Sequence, residues 1–180
     1  SYEKQDGYLA KVMPPIRSSN DIEAVWRAIS TNQIDTIGTD HVANKLKLKL
    51  GGSDVWDALP GFPGIGTELS IMLSEGVNKD RISIEHLVNL TSTNAAKIFG
   101  MFPQKGVLQQ GSDADISLID LKKEKKVSSE LFGAFSDYTV YEGMNLKGWP
   151  VKTLVRGELI ADDFEVVGKR GFGKFVKRTI

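Results

Sequence analysis

Apolar residues recur at helical spacing through the first half of the chain. The clearest stripe has four members at i, i+3, i+4 and i+7: Ile22, Val25, Trp26 and Ile29. This spacing places all four on one helix face. Asn20 precedes the stripe and Glu23 follows three residues later, which is the form of a capping box. We therefore predict an amphipathic helix that begins at Asn20.

Three more helices are predicted by polar caps followed by apolar residues at helical spacing. The first begins at Thr67 and ends at Gly76, and the second begins at Ser83. The third begins at Thr93 or Asn94 and ends at Gly100. Between the first helix and these three, residues 34–39 are short and β-branched, and predict a buried strand that ends at Asp40. Helix followed by strand indicates an α/β repeat. Residues 51–66 contain five glycines and two prolines and predict a loop with special backbone angles.

The second half of the chain has the texture of short β-strands. Residues 116–119 predict one strand, and residues 151–155 and 158–161 predict a hairpin around Arg156-Gly157, a two-residue turn. Residues 122–126 form a charged run that we interpret as a solvated turn.

Composition excludes several classes of function. Twenty-three basic residues balance twenty-three acidic ones, so no global field favours nucleic acid or a membrane surface as a partner. The chain has no cysteine, which excludes disulfides and thiolate chemistry and is typical of a cytoplasmic protein. No apolar run reaches the length of about 18 residues that a membrane span needs. The first residues also lack the apolar core of a signal peptide.

The tetrad Gly38-Thr39-Asp40-His41 carries the most specific chemistry. It places a carboxylate and an imidazole at the end of a predicted strand, which is the edge where α/β barrels hold catalytic groups. Asp40 is suited to ligate a metal and to transfer a proton. The alternative is an aspartate that caps the next loop beside a packed histidine.

The chain by itself lacks the ligands of a complete metal centre. It has two histidines, His41 and His86, whereas a catalytic zinc generally needs three protein ligands. His86 is predicted on a capped helix next to the apolar face, as a surface or boundary residue. Three carboxylates near the glycine-rich region have no metal-ligand spacing, namely Asp54, Asp57 and Glu68, and three more are interpreted as helix and turn residues, namely Glu75, Asp113 and Asp115. A second candidate is the loop 61–66, whose glycines allow backbone groups to approach a flat polar ligand. A plain connecting loop is the alternative.

Taken in order, short motifs along nearly the whole chain resemble the cyclic amidohydrolases, which comprise dihydroorotases, dihydropyrimidinases, hydantoinases and allantoinases. The motifs are Lys11-Val12-Met13-Pro14-Pro15-Ile16-Arg17, Thr39-Asp40-His41, Pro60-Gly61-Phe62-Pro63-Gly64, Leu73-Ser74-Glu75-Gly76-Val77, Asn94-Ala95-Ala96-Lys97-Ile98-Phe99-Gly100, Lys105-Gly106, Gly111-Ser112-Asp113-Ala114-Asp115, Tyr141-Glu142-Gly143-Met144, Lys147-Gly148-Trp149-Pro150 and Val155-Arg156-Gly157.

The resemblance implies an α/β architecture, namely the C-terminal portion of a (β/α)8 barrel followed by strands of a flanking β-sandwich. Residues 1–104 would supply the last barrel strands and helices, and residues 105–180 the sandwich strands and tail. It also implies a two-metal centre, usually zinc, to which Asp40 alone corresponds here, both as a ligand and as the catalytic proton carrier. The other ligands would lie upstream, so the 180 residues alone are expected to be inactive.

The resemblance further implies a small cyclic amide or ureide as substrate. Met13 and the loop residues Gly61, Pro63 and Gly64 would contact it, chiefly through the backbone. Met13 stands where dihydroorotases usually have asparagine, and Asn44 where they commonly have a second histidine. Both differences favour a dihydropyrimidinase, hydantoinase or allantoinase-like hydrolase over a dihydroorotase-related one.

An alternative from another class is a non-catalytic relative that acts as a scaffold or assembly subunit. A partial barrel would expose strand edges and apolar faces. We therefore expect a homo-oligomer or association with the missing N-terminal part.

Overall fold

The protein is described by a computed structural model over residues 7–52 and 54–178. The predictions for the first six residues, and for Ser53 of the glycine-rich loop, lie outside these ranges. The α-helices are α1 Ser19–Ser30, α2 Leu46–Leu50, α3 Glu68–Ile71, α4 Ile84–Val88 and α5 Asn94–Ile98. Two π-helical segments, Met72–Val77 and Asn89–Thr93, continue α3 and join α4 to α5, and two 3-10 turns cover Gly7–Ala10 and Ser129–Phe132.

Four strands form one sheet in chain order. They are β1 Ile116–Lys126, β2 Asn145–Val155, β3 Glu158–Asp162 and β4 Glu165–Val166. β2 pairs with β3, and β3 with β4, in antiparallel register. Helices and strands are thus both present, as the α/β prediction requires.

The chain divides into two compact units, which we call unit 1 and unit 2. Unit 1 comprises the described residues up to Arg27 together with Thr39–Glu68 and Lys125–Leu146. Unit 2 comprises Ala28–Gly38, Leu69–Glu124 and the described residues from Lys147 onward. Unit 1 buries Ala58, Val127 and Leu146, and unit 2 buries Leu73, Leu87, Leu90 and Trp149. Both candidate functional segments, Asp40-His41 and the loop 61–66, belong to unit 1.

The start of α1 differs from the prediction. Ser18, and not Asn20, caps the helix: the Ser18 N–H donates to Asp21 Oδ2 at 3.0 Å, and the Asp21 N–H donates to Ser18 Oγ at 3.4 Å. The prediction was wrong because the capping-box rule is satisfied twice in this stretch, and the earlier serine forms the reciprocal pair. The predicted apolar stripe is also only partly covered, since Ile29 is 5% exposed while Ile22 and Val25 are each 50% exposed.

The later helices follow the prediction in part. Ser83 caps α4 as predicted, by accepting the His86 N–H, and Gly100 ends α5 with a φ of 67°. The predicted new start at Thr93 or Asn94 is wrong, because α4, the π-helical segment and α5 are continuous. The Thr93 hydroxyl does not cap a helix but donates to the Gly106 carbonyl at 2.7 Å.

The predicted buried strand at residues 34–39 is not a strand. These residues are half-buried or exposed. The Ile37 N–H donates to Leu90 O at 3.3 Å, and the Asn94 side-chain amide donates to Asp35 O at 2.9 Å. A strand exists only when a neighbour completes its ladder, and no strand within residues 7–52 and 54–178 pairs with this segment.

The β-rich second half confirms the hairpin and corrects the charged run. β2 and β3 flank Arg156-Gly157 with Val155 opposite Glu158, and both turn residues have positive φ, as a type I′ turn requires. β1 does not stop at Ile119 but continues to Lys126. The interpretation of residues 122–126 as a turn was therefore wrong: the run lies on a largely exposed strand, where lysines are well tolerated. In the part of the chain that the structure describes, no helix has both the length and the apolarity needed to cross a membrane.

Candidate functional site

Asp40 lies in a backbone conformation that aspartate seldom adopts. Its φ is 44°, in the left-handed region that costs a non-glycine residue energy. The residue is exposed, and no hydrogen bond or ion pair to its carboxylate is found within residues 7–52 and 54–178. Asp80 and Asp163 also have positive φ, so the feature that distinguishes Asp40 is its position next to His41 and the loop 61–66.

His41 binds the loop 61–66 and is not arranged as a metal ligand. Its Nδ1 accepts the backbone N–H groups of Gly64 and Ile65, at 3.1 and 3.3 Å. The Nδ1 lone pair is occupied by these two N–H groups, so His41 fixes the loop beside Asp40.

The loop approaches the Asp40 segment closely at two glycines. A Cβ on Gly61, whose φ is 91°, would lie 2.4 Å from Val42 Cγ2, and one on Gly64 would lie 3.4 Å from Thr39 O. The Val42 N–H also donates to Phe62 O at 3.2 Å. Only glycine fits at position 61, and this close approach holds the loop against residues 39–42.

A buried lysine that sequence analysis missed lies under this loop. Lys49 is 0% exposed, and its ammonium donates to the carbonyl oxygens of Lys11, Leu59 and Gly61 at 2.7, 2.6 and 2.7 Å. Burial lowers the pKa of Lys49 to about 8, and the nearby Lys11 ammonium adds to this shift. The available signal was a lysine inside the apolar alternation Leu46-Lys47-Leu48-Lys49-Leu50, whose period of two favours a strand over the observed α2.

The structure brings the Met13 segment and the loop together through Lys11. Besides the Lys49 ammonium, the Lys11 carbonyl accepts the Gly61 N–H at 2.9 Å. Met13 itself is 68% exposed, whereas Gly61, Pro63 and Gly64 are buried. The loop glycines are already engaged: Gly61 uses its N–H and carbonyl as described, and the Gly64 carbonyl accepts the Thr67 N–H and hydroxyl. The Gly64 carbonyl also accepts the Glu68 N–H at 3.2 Å, so of these two carbonyls only that of Gly61 keeps a second lone pair for a ligand.

A cleft opens along the same loop within unit 1. His41, Pro63 and Gly64 line it together with Ser136 and Tyr138. Ser136 and Tyr138 are 5% and 6% exposed, and neither hydroxyl has a hydrogen-bond partner among the described residues. Burial, with a smaller contribution from the Asp137 charge, raises the pKa of Tyr138 to about 12, so this hydroxyl stays protonated. No pattern in the sequence marked these two residues.

The remaining carboxylates considered from sequence lie away from any ligand cluster. Asp54 accepts backbone N–H groups of its own turn, Glu75 pairs with Lys79, and Asp113 and Asp115 pair with Lys105. Burial raises the pKa of Glu68. His86 lies in unit 2, and within residues 7–52 and 54–178 no three metal-binding side chains converge. The assignment of Asp40 as a metal ligand stays a prediction.

Sequence comparison gives one family and a consistent group of relatives. A model described as "Amidohydrolase family" matches residues 10–160. An L-hydantoinase of Paenarthrobacter aurescens is 43% identical over 173 residues, which are 96% of this chain and 38% of that protein. A D-hydantoinase of Geobacillus stearothermophilus is 40% identical over 168 residues, which are 92% of this chain and 36% of that protein. The chain thus spans less than two fifths of the length of these relatives.

Solved structures agree with the sequence relatives. A dihydropyrimidinase from Brevibacillus agri superposes with a TM-score of 0.93 at 37% identity, over 99% of this chain and 40% of that one. An L-hydantoinase from Arthrobacter aurescens gives 0.92 at 43% identity, over 96% of this chain and 38% of that one. Fold, sequence and family model therefore agree, and the chain belongs to the amidohydrolase family.

Proposed function

We propose that this chain is part of a metal-dependent hydrolase that opens a cyclic ureide by cleaving a ring amide C–N bond. The single observation that carries the proposal is the place of Asp40: its exposed carboxylate directly precedes His41, which is hydrogen-bonded to the glycine loop that lines a cleft. Relatives named hydantoinase and dihydropyrimidinase support a hydantoin or dihydropyrimidine ring as the substrate class. They support it over a dihydroorotate ring, as do Met13 and Asn44.

Asp40 is proposed as one ligand of a zinc centre and as its proton carrier. Bound zinc supplies Lewis acidity and lowers the pKa of water at the site. The Asp40 carboxylate is exposed and carries no competing hydrogen bond from the described residues, so it is free to bind a cation, to accept a proton and to deliver it to a leaving ring nitrogen. The other ligands would come from polypeptide outside these 180 residues, since the chain spans 38% of its L-hydantoinase relative.

The cleft is proposed to hold the substrate. Pro63 and Gly64 line it together with Ser136 and Tyr138. The Met13 segment contributes from beside Gly61, to which it is joined through the Lys11 carbonyl. Residues 1–104 are proposed as the end of a (β/α)8 barrel and residues 105–180 as sandwich strands. We also propose a cytoplasmic location, in line with the absence of cysteine. We propose a homo-oligomer or association with the N-terminal part of the complete protein, because Ile22 and Val25 of α1 are half exposed and either arrangement could cover them.

The test replaces Asp40 by asparagine in the complete protein, with Asp80→Asn as the matched control. Both aspartates are exposed and have positive φ, 44° and 54°, and asparagine tolerates this conformation. Asp40→Asn should slow ring opening of hydantoin and dihydrouracil by about 10²–10⁴-fold and reduce bound zinc, whereas Asp80→Asn should change neither. Spectrophotometric ring-opening assays and elemental analysis give the two readouts. Near-normal turnover in Asp40→Asn would refute the proposal.

A further inference from the structure

Lys49 is an unusual cation because its partners are all neutral. Buried lysines normally pair with a carboxylate. The Lys49 ammonium is 0% exposed, and its three hydrogen bonds go to the backbone carbonyls of Lys11, Leu59 and Gly61. An ammonium has three donors, so its capacity is fully used.

These three carbonyls come from the two segments proposed to bind substrate. Lys11 lies two residues before Met13, and Leu59 and Gly61 flank Pro60 at the entrance to the loop that contains Pro63 and Gly64. We propose that Lys49 is a positioning residue that holds the Met13 segment and the loop at a fixed separation, so that their substrate contacts are preorganised. This inference rests on the proposed function.

The geometry explains why lysine is needed at this position. In the described part of the chain, the Leu59 and Gly61 carbonyls have no other hydrogen-bond donor, and Lys11 O has one more, the Gly61 N–H. A methionine of similar length would fill the space but leave two carbonyls without partners. The loop would then shift to find new ones, and the groups proposed to contact the substrate would no longer be preorganised, which weakens substrate binding.

The experiment compares Lys49→Met with Lys47→Met in the complete protein. Lys47 lies on the same helix but is exposed, so it controls for the loss of a charge from α2. With hydantoin and dihydrouracil, Lys49→Met should raise KM about tenfold or more, with kcat within about threefold and zinc content unchanged, because the chemistry at Asp40 is not touched. Lys47→Met should behave as wild type. An unchanged KM in a folded Lys49→Met protein overturns the inference.

Two readouts need no turnover and so separate this inference from the proposed function. Amide hydrogen exchange at Gly61 should accelerate in Lys49→Met but not in Lys47→Met, since the Gly61 N–H bond to Lys11 O depends on the held geometry. In the wild-type protein, nuclear magnetic resonance should detect a protected Lys49 ζ-ammonium, whether or not the variant folds. Rapid exchange of that ammonium overturns the inference. Near-normal turnover of Asp40→Asn, together with a protected Lys49 ammonium, overturns only the proposed function.

Discussion

Two lysines organise two regions of this protein by opposite means. In unit 1 the buried Lys49 gives all its donors to backbone carbonyls, and burial lowers its pKa to about 8. In unit 2 the partly exposed Lys105 pairs with Asp113 at 2.8 Å and with Asp115. Burial lowers the pKa of Lys105, but the hydrogen bonds to Asp113 and Asp115 outweigh it and raise the pKa above its usual value.

The two arrangements differ in what they contribute to the free energy of folding. An ion pair at the surface contributes little stability and is screened by salt. The Lys105 cluster therefore stabilises only the turn before β1. A buried ammonium without a counter-charge costs desolvation free energy. We expect a protein to keep such a group only where the carbonyls that it binds have to be held in place. That place is the loop beside Asp40.

The largest effect is expected from adding one methyl group to the loop that Lys49 holds. Gly61 and Gly111 have nearly the same φ, 91° and 92°, but a Cβ at Gly61 meets Val42 at 2.4 Å while one at Gly111 meets nothing within 4 Å. Gly111→Ala should cost only the backbone strain, about 1–2 kcal/mol. Gly61→Ala should cost about 1–3 kcal/mol more from overpacking. Urea denaturation of both variants checks this, and equal losses would show that the loop is not closely packed.

Replacement of Lys49 or Lys105 by methionine should give the next largest change in the free energy of unfolding. Lys49→Met should lower the free energy of unfolding by about 2 kcal/mol, because the carbonyls that lose a partner outweigh the relief from a buried charge. Lys105→Met should lower it less, and its effect should shrink further in 1 M salt, where the Debye length falls to about 3 Å. Denaturation of both variants at low and high salt tests this. A salt-sensitive Lys49 effect would contradict the buried arrangement.

An effect that is opposite in sign for the two lysines is expected from pH. Between the folded pKa of Lys49, about 8, and its ordinary value of 10.5, the unfolded chain binds a proton that the folded chain has released. The free energy of unfolding therefore rises with pH in this window. The raised pKa of Lys105 stabilises the fold below its ordinary value, and this contribution is lost as pH rises through the folded pKa.

Difference curves measure these contributions. The free energy of unfolding of wild type minus that of Lys49→Met, recorded from about pH 7 to pH 10, should increase with pH. Lys11 is the other cation that acts on Lys49, so Lys11→Met should shift the rise to higher pH. A difference that falls with pH would mean that the folded protein favours the charged form of Lys49, which contradicts a net cost of burying this ammonium.

Local rules predicted the elements whose causes are local. The Arg156-Gly157 turn and the Ser83 cap were found because a few adjacent residues decide them. The α1 cap was misplaced because Ser18 and Asn20 both satisfy the same rule, and tertiary geometry selected Ser18. Residues 34–39 have strand composition without a strand neighbour among the described residues, and composition carries no information about that.

Some residues of the candidate site were predicted from the sequence, and others were found only in the structure. The order of short motifs was enough to indicate the amidohydrolase family, which the comparisons confirm, and to single out Asp40 and the loop 61–66. The roles of Asp40, Met13, Gly61, Pro63 and Gly64 stay predictions. Lys49, Ser136 and Tyr138 were found only in the structure. Nothing in the local sequence marks Ser136 and Tyr138, and the alternation around Lys49 does not show that Lys49 rather than Lys47 is buried.

By itself, the amino-acid sequence determined the family and the glycine positions that a tight backbone needs, and it singled out Asp40 as the predicted metal ligand. The tertiary structure decided that His41 turns its Nδ1 to the loop, that Lys49 is buried against three carbonyls and that the hydroxyls of two cleft residues are buried without partners among the described residues. The physical reason is that hydrogen-bond satisfaction and burial depend on which distant segments meet. Those meetings are properties of the folded chain that no local pattern encodes.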